Sequence, residues 1–209
     1  MGYTRADFAA EPDVDTEILE AFDIWHDLLV QWNRRINLVG PRTLEAFWQR
    51  HALDSWQLAA LVPDGTQTAI DLGSGAGFPG LAVGLELRRR GAGRVTLVES
   101  AGKKANFLRT VARELGLPVV VNQGRAERMN EAKYDLVTAR AFAPLSRLLE
   151  YAHPFWGQGT TALLPKGETI SSELVAAEKD GWTFSSETIA SRSDPNGNVL
   201  IIRNLSRTG

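Results

Sequence analysis

The chain has 209 residues, 44% of them hydrophobic, with a formal net charge of −2 and no cysteine. This length and composition predict one substantial domain with its own core, and the lack of cysteine excludes disulfides and thiolate metal sites. No apolar segment approaches the roughly 20 residues of a membrane span, and the acidic segment Met1 to Glu20 lacks the regions of a signal peptide, so we expect a cytoplasmic protein with no membrane or metal partner.

Residues 1–66 are predicted to form an N-terminal helical cap. Apolar side chains recur at helical spacing over residues 16–33 and again over about residues 43–61. The turn Pro63-Asp64-Gly65 closes this region. Four tryptophans lie on the apolar stripes and are expected in the core, not in base stacking: Trp25, Trp32, Trp48 and Trp56.

Charge is unevenly distributed along the chain. The N-terminal segment is acidic, whereas basic residues gather first near Arg34, Arg35, Arg42 and Arg50 and then between 88 and 113. Such runs usually form solvated helix faces, and a basic face for phosphates is the alternative.

Residues 67–209 alternate between strand and helix patterns, which indicates a parallel sheet with helices on both faces. The predicted strands cover residues 68–72, 94–99, 118–122, 134–139 and 160–165, and the helices about 79–90, 102–116, 144–152 and 168–180. Two more strands, Trp182 to Ile189 and Asn198 to Arg203, are joined by a turn-rich segment. They predict a hairpin, so that one edge of a seven-stranded sheet carries an antiparallel strand.

The segment between the first strand and the next helix is predicted to bind a nucleotide cofactor. Glycines at every second position, Gly73, Gly75 and Gly77, allow a tight turn and close approach of the backbone to a ligand. Residues 75–80 fit the dinucleotide pattern G-x-G-x-x-G, whereas residues 71–77 fit the acid-x-G-x-G-x-G loop of S-adenosylmethionine enzymes.

Two features favour S-adenosylmethionine. The carboxylate of Asp71 would repel a pyrophosphate but would suit the ammonium group of methionine. The terminal hairpin also fits the methyltransferase sheet, not the six-stranded parallel dehydrogenase sheet. Glu99, at the end of the second strand, is placed to accept ribose hydroxyls from either cofactor.

Several motifs in series resemble the bacterial RsmG (GidB) family, which methylates N7 of a guanosine in 16S ribosomal RNA. They are Trp32 to Leu38, Arg50 to Ser55, Asp71 to Gly80, Glu99 to Lys104, Arg125-Ala126-Glu127 and Val137 to Ala141. The resemblance covers about residues 25–202. It implies an α/β, class I Rossmann-like methyltransferase with S-adenosyl-L-methionine as cofactor, and 16S rRNA or the assembling small ribosomal subunit as partner.

The resemblance also implies roles for single residues. Cofactor contacts are expected at Gly73, Gly75, Gly77, Phe78, Glu99, Ala126, Glu127 and Arg140. For Phe78 the alternative is packing at the start of the helix, for Glu127 a surface helix cap, and for Arg140 an RNA phosphate or an ordinary surface position. Lys166 and His51 are candidate RNA contacts; the alternatives are a solvated loop lysine and a core histidine.

No catalytic acid or base is assigned. Guanine N7 has a free lone pair and needs alignment with the methyl group, not deprotonation. The fourth strand accordingly ends in Thr138 to Pro144, without the Asn/Asp-Pro-Pro-aromatic turn of many enzymes that methylate amines. Three alternatives stay open at this point: a methyltransferase for protein or a small molecule, an NAD(P)-dependent oxidoreductase, and a non-catalytic RNA-binding module.

Overall fold

A seven-stranded sheet forms the centre of the protein, whose computed structural model describes residues 2–208. The strand order is β3-β2-β1-β4-β5-β7-β6. The strands are β1 (Thr68–Leu72), β2 (Arg94–Glu99), β3 (Val119–Gln123), β4 (Tyr134–Ala139), β5 (Trp156–Lys166), β6 (Trp182–Ala190) and β7 (Asn198–Arg207). The edge strands are β3 and β6, and β4 lies at the centre with β1 beside it, where parallel strands are covered on both faces.

The prediction of seven strands with one antiparallel strand is confirmed. The hairpin lies at one edge of the sheet, where β7 is placed between β5 and β6 and is antiparallel to both, and β6 is the edge strand. The hairpin turns back into the sheet because β7 is the more apolar strand, with Val199 to Ile202 all buried. The more exposed β6 is left at the edge.

From residue 2 to residue 66, the cap contains five helical segments instead of the two predicted. They are α1 (Arg5–Ala9), α2 (Thr16–Asn33), α3 (Pro41–Glu45), a π-helix (Trp48–Leu53) and α4 (Asp54–Ala59). The single helix expected over residues 43–61 is therefore wrong. Helix α1 was not predicted because its five residues are too short for a periodic pattern; it is fixed locally by a capping box between Thr4 and Asp7.

Four helices cover the faces of the sheet: α5 (Gly80–Arg89), α6 (Gly102–Glu114), α7 (Leu145–Ala152) and α8 (Ile170–Lys179). The cap packs on the same face as α5 and α6, in one apolar cluster that includes Trp25, Leu81 and Leu97. A second cluster, on the opposite face, contains residues of α7 and α8. Between Gly2 and Thr208, no helix combines the length and the apolar character needed to cross a bilayer.

Candidate functional site

A loop with three glycines joins β1 to α5 at the carboxyl edge of the sheet. Gly73, Gly75 and Gly77 have φ angles of +69°, +56° and +96°, which other residues adopt only at an energetic cost. Space is short as well, since a Cβ on Gly73 would overlap the ring of Phe142 and one on Gly77 would overlap Leu81. The loop therefore needs glycine for its conformation and, at these two positions, for room.

Glu99, the last residue of β2, holds the glycine loop against the neighbouring strand. Its Oε2 accepts a 2.9 Å hydrogen bond from the amide of Gly75, and its Oε1 accepts one of 2.7 Å from the amide of Ala101. The side chain is buried. Each carboxylate oxygen has a second lone pair, so the predicted contact with ribose hydroxyls is compatible with these bonds and stays a prediction.

Asp71 is fully buried beneath the loop. Its Oδ1 accepts a 2.7 Å hydrogen bond from the hydroxyl of Thr138 on β4, while its Oδ2 lies so close to Gly80 that a Cβ there would be 2.7 Å away. Burial raises the pKa of Asp71 to about 6, although hydrogen bonds from Ser74 and Thr138 act in the opposite direction. The carboxylate faces the N-terminus of α5, where the helix dipole favours negative charge, and its contact with a cationic group of the ligand stays a prediction.

A stack of rings connects the cap to the glycine loop. Trp25 of α2 stacks on Phe78 with the ring centroids 4.2 Å apart and the planes at 15°. His51 of the π-helix also stacks on Phe78, at 4.6 Å and 14°, and the guanidinium of Arg140 lies 5.0 Å from the same ring centroid. Phe78 is buried among these groups, so packing at this position is confirmed, and its contact with a cofactor stays a prediction.

Arg140 follows β4 and directs its guanidinium toward the cap. Nη1 donates hydrogen bonds of 3.0 Å to the backbone carbonyl of Arg50 and to Oδ2 of Asp54, and Nη2 lies 3.1 Å from Nδ1 of His51. The carbonyl of Arg50 belongs to the π-helix, a local distortion that is frequent at functional sites. Because a guanidinium has five N–H donors, two remain for a ligand.

His51 is a buried, neutral histidine. Burial, together with the charges of Arg140 and Arg50, lowers the pKa of His51 to about 3. Because the guanidinium can only donate, Nδ1 must accept, which assigns the proton to Nε2. The ring is 5% exposed, so the core position is confirmed and a contact with RNA stays a prediction.

The loop between β6 and β7 returns to the cap and holds Asp54 from the other side. Ser193 Oγ donates a 2.7 Å hydrogen bond to Oδ1 of Asp54, and the side chain of Gln49 donates one of 3.1 Å to the backbone carbonyl of Ser193. Arg50 pairs with Asp194 at 3.0 Å. The sequence did not assign Ser193 or Asp194 to the site, and no local pattern marks them, because their partners lie far away along the chain.

A cavity of about 740 Å³ opens between the cap, the carboxyl edge of the sheet and this loop. Its walls include His51 and Asp54 of the cap, Arg140 and Lys166 at strand ends, and Ser193 of the loop. Its volume lies in the range of about 300–1,000 Å³ that is typical of ligand sites. Three residues predicted for the site from separate parts of the sequence, His51, Arg140 and Lys166, are therefore brought together.

Lys166 is not the solvated loop lysine considered as an alternative. Its Nζ lies 2.7 Å from Oε2 of Glu173 on α8, and its side chain is 9% exposed. The pKa of Glu173 is lowered, because the burial that would raise it is outweighed by Lys166 and by hydrogen bonds from the Leu145 amide and Thr169. A contact between Lys166 and RNA stays a prediction.

Ala126 and Glu127 lie apart from this cavity, in a 3₁₀ turn after β3. Ala126 is buried, whereas Glu127 is exposed. A second cavity, of about 530 Å³, is lined by neighbouring residues that include Ser100 and Arg125. It lies along the carboxyl edge of the sheet beyond Glu99, and the two cavities share no lining residue. Cofactor contact at Ala126 and Glu127 stays a prediction.

The sequence is similar to that of known rRNA methyltransferases. A family model described as rRNA small subunit methyltransferase G (GidB) matches residues 18–195. The ribosomal RNA small subunit methyltransferase G of Hyphomonas neptunium is 46% identical over 203 residues, covering 97% of this chain and 96% of the relative. That of Rhodospirillum rubrum is 45% identical over 200 residues, covering 96% and 97%.

Solved structures with little sequence identity share the fold. The AdoMet complex of TYW2 from M. jannaschii aligns with a TM-score of 0.57 at 15% identity, covering 84% of this chain and 80% of that one. A chain of the fibrillarin/Nop5p complex aligns with a TM-score of 0.54 at 12% identity, covering 75% of this chain and 84% of that one. The sheet order, the single antiparallel strand and these likenesses identify a class I Rossmann-like methyltransferase fold.

Proposed function

The chain belongs to the rRNA small subunit methyltransferase G (GidB) family, and from this we propose that it methylates N7 of a guanosine in 16S ribosomal RNA. The observation that carries the proposal is the family match over residues 18–195. Family membership makes the chain an S-adenosylmethionine-dependent methyltransferase. Of the two cofactor patterns that the glycine loop fits, the S-adenosylmethionine pattern is therefore the relevant one, not the dinucleotide pattern. The oxidoreductase and the non-catalytic RNA-binding module are thereby set aside.

The residues at the carboxyl edge fit the cofactor. The loop from Gly73 to Gly77 exposes backbone at its glycines, and at Gly75 an added Cβ would meet nothing closer than 3.8 Å. Glu99 keeps one acceptor site on each oxygen for a ribose hydroxyl. Ala126 and Glu127 follow the neighbouring strand and would face the adenine. When bound, S-adenosylmethionine supplies a methyl group on a positively charged sulfur.

The cavity beside Arg140 is where we place the target guanosine. Its wall contains three cations, Arg50, Arg140 and Lys166, each paired with an acid of the same wall, and neutral donors and acceptors such as Ser193. These hydrogen-bonding groups suit a base with an attached phosphate. Arg140 stands between the two ligands, with its guanidinium over Phe78 of the glycine loop and two N–H donors still free. These donors would orient the reactants.

The reaction needs orientation from the protein, not proton transfer. N7 of guanine forms the new C–N bond with its free lone pair, the electrons of the C–S bond stay on sulfur, and the positive charge passes to the purine ring. Holding the base and the methyl group in line supplies much of the rate enhancement in such a step. His51, which is neutral and bonded to Arg140, would position the guanidinium without adding charge.

The substrate is tested by labelling. Purified protein, methyl-labelled S-adenosylmethionine and 16S rRNA from cells lacking the gene should give label in one guanosine, located by reduction and aniline cleavage at N7-methylguanosine. The same assay on 30S particles and on assembly intermediates distinguishes free rRNA from an assembling subunit, which we propose as the partner in the cytoplasm. Label in protein with none in rRNA would refute the proposal.

A further inference from the structure

Five cations near the crevice have no acidic partner in the part of the chain that the structure describes. We call them the basic rim: Arg34, Arg35, Arg42, Lys103 and Lys104. No Asp or Glu oxygen between Gly2 and Thr208 lies within 4.0 Å of their charged nitrogens, so they are absent from the ion pairs. All are exposed except Lys104, which is half-buried.

The acidic N-terminal segment forms no ion pair with the basic rim, and several of its carboxylates pair with other cations. Asp23 pairs with Arg5 at 2.5 Å, and Glu17 pairs with Arg88 at 2.5 Å. Glu11 and Asp13 both bind Arg192 on the loop between β6 and β7. A further acid, Glu45, is exposed one turn after Arg42 but does not reach it. Among residues 2–208, the rim cations therefore have no acidic partner within 4.0 Å, although Glu45 lies nearby.

The packing of α2 on α6 brings the two parts of the rim together. Trp32, at the end of α2, contacts Phe107 of α6, with the ring centroids 5.7 Å apart. Arg34 and Arg35 follow Trp32 directly, and Lys103 and Lys104 precede Phe107 by one helical turn.

The rim also borders the candidate site. Helix α6 starts at Gly102, three residues after Glu99, which places its lysines at the carboxyl edge beside the glycine loop. On the other side, Arg42 immediately precedes Thr43, which lines the 740 Å³ cavity.

The turn that carries the arginines is held in a fixed shape. Asn33 Oδ1 accepts hydrogen bonds from the amides of Leu38 at 2.8 Å and Val39 at 3.1 Å, and its Nδ2 donates to the carbonyl of Val39 at 3.1 Å. Lys103 and Lys104 lie in the first turn of α6, which has no acidic residue, although cations are unfavourable at that end of a helix dipole. Local helix stability does not explain the lysines.

We propose that the basic rim binds the phosphates of the RNA strand that flanks the target nucleotide. The inference rests on the proposed function. Unpaired cations beside the cavity in which we place the target nucleotide match the repeated negative charge of a nucleic-acid backbone. An RNA strand entering the cavity would pass Arg42 and continue over the contact between α2 and α6.

The test compares pairs of charge reversals in the full-length protein. The variants are Arg34→Glu/Arg35→Glu and Lys103→Glu/Lys104→Glu, each with a milder Gln pair. The controls are Arg94→Glu, at the start of β2 and thus at the opposite edge of the sheet, and Lys179→Glu, at the end of α8. Both residues are exposed, and neither forms an ion pair with a residue from 2 to 208. Affinity for unmethylated 16S rRNA is measured at several salt concentrations, with the affinity for S-adenosylmethionine measured in parallel.

Each reversed pair should weaken RNA binding and reduce the slope of log K against log salt by about 1.4 to 1.8, the value for two lost phosphate contacts. The Gln pairs should give the same change of slope, and the controls none. Affinity for S-adenosylmethionine should not change. If wild-type protein methylates rRNA but the variants keep its slope and KM, the rim does not bind RNA. If wild-type protein methylates no rRNA, the proposed function fails first, and this inference with it.

Discussion

Replacing Trp25 tests whether the cap holds the glycine loop in place. The side chain is fully buried and stacks on Phe78 at 4.2 Å. A buried aromatic ring removes about 200 Å² from water, equivalent to about 5 kcal/mol. Loss of the stack increases the destabilisation by about 1 kcal/mol. The indole N–H is buried without a partner among residues 2–208, so its removal reduces the destabilisation by about 2 kcal/mol.

Trp25→Ala should therefore lower the free energy of unfolding by about 4 kcal/mol, and Tm by about 8–16 °C for a chain of this size. Because Phe78 loses one of its two stacking partners, affinity for S-adenosylmethionine should also fall, by about tenfold, which corresponds to about 1.4 kcal/mol. Trp25→Phe is the matched control: it keeps a ring on Phe78, removes the unpartnered N–H, and should cost less than half as much stability with little change in affinity.

Urea unfolding followed by fluorescence and circular dichroism gives the stability, and calorimetry gives the affinity for the cofactor. We propose that residues 1–66 and 67–209 fold as one unit, since they share an apolar cluster, so both probes should report one transition. Separate transitions would contradict this. Stability lost with the affinity for S-adenosylmethionine unchanged would refute the idea that the stack positions the loop.

Three further predictions concern the site itself. Gly73→Ala should abolish binding of S-adenosylmethionine, measured by calorimetry, because the residue has φ +69° and a Cβ would overlap Phe142; normal binding would show that the loop tolerates a side chain. Arg140→Ala should reduce the rate of methyl transfer at least 100-fold, which corresponds to about 2.7 kcal/mol in the barrier, while circular dichroism should show that the fold is retained. Arg140→Lys should not restore the rate, because lysine cannot bond to Asp54 and His51 in the planar geometry of a guanidinium. The pKa of His51 is lowered to about 3, so between pH 7 and pH 5 the unfolded state binds a proton at this residue and the folded state does not. The free energy of unfolding of the wild type should therefore fall by about 2 kcal/mol relative to His51→Gln over this pH range. Equal pH profiles of the two proteins in urea unfolding would mean that His51 ionises freely.

Much of the fold could be predicted from the sequence because it depends on local pattern. Alternating apolar runs locate strands and helices wherever one face is buried, and glycines at 73, 75 and 77 specify a left-handed turn at the end of β1 whatever surrounds it. The cofactor class followed from that loop and the order of the motifs. The interpretation failed where a short or distorted element lacks a period, as in α1 and the π-helix around His51.

The surroundings of the site depended on contacts that join distant parts of the chain. Arg140 meets Asp54 across 86 residues, and Asp54 meets Ser193 across 139, so no local pattern could relate them. The sequence likewise identified Asp71 but not its burial, which arises because β1 lies at the middle of the sheet with α5 packed above it. By itself the sequence therefore determined the elements and the cofactor loop, which follow from the conformational preferences of neighbouring residues. Only the tertiary structure decided which side chains face the cavity, because that depends on how the cap and the hairpin loop pack against the carboxyl edge of the sheet.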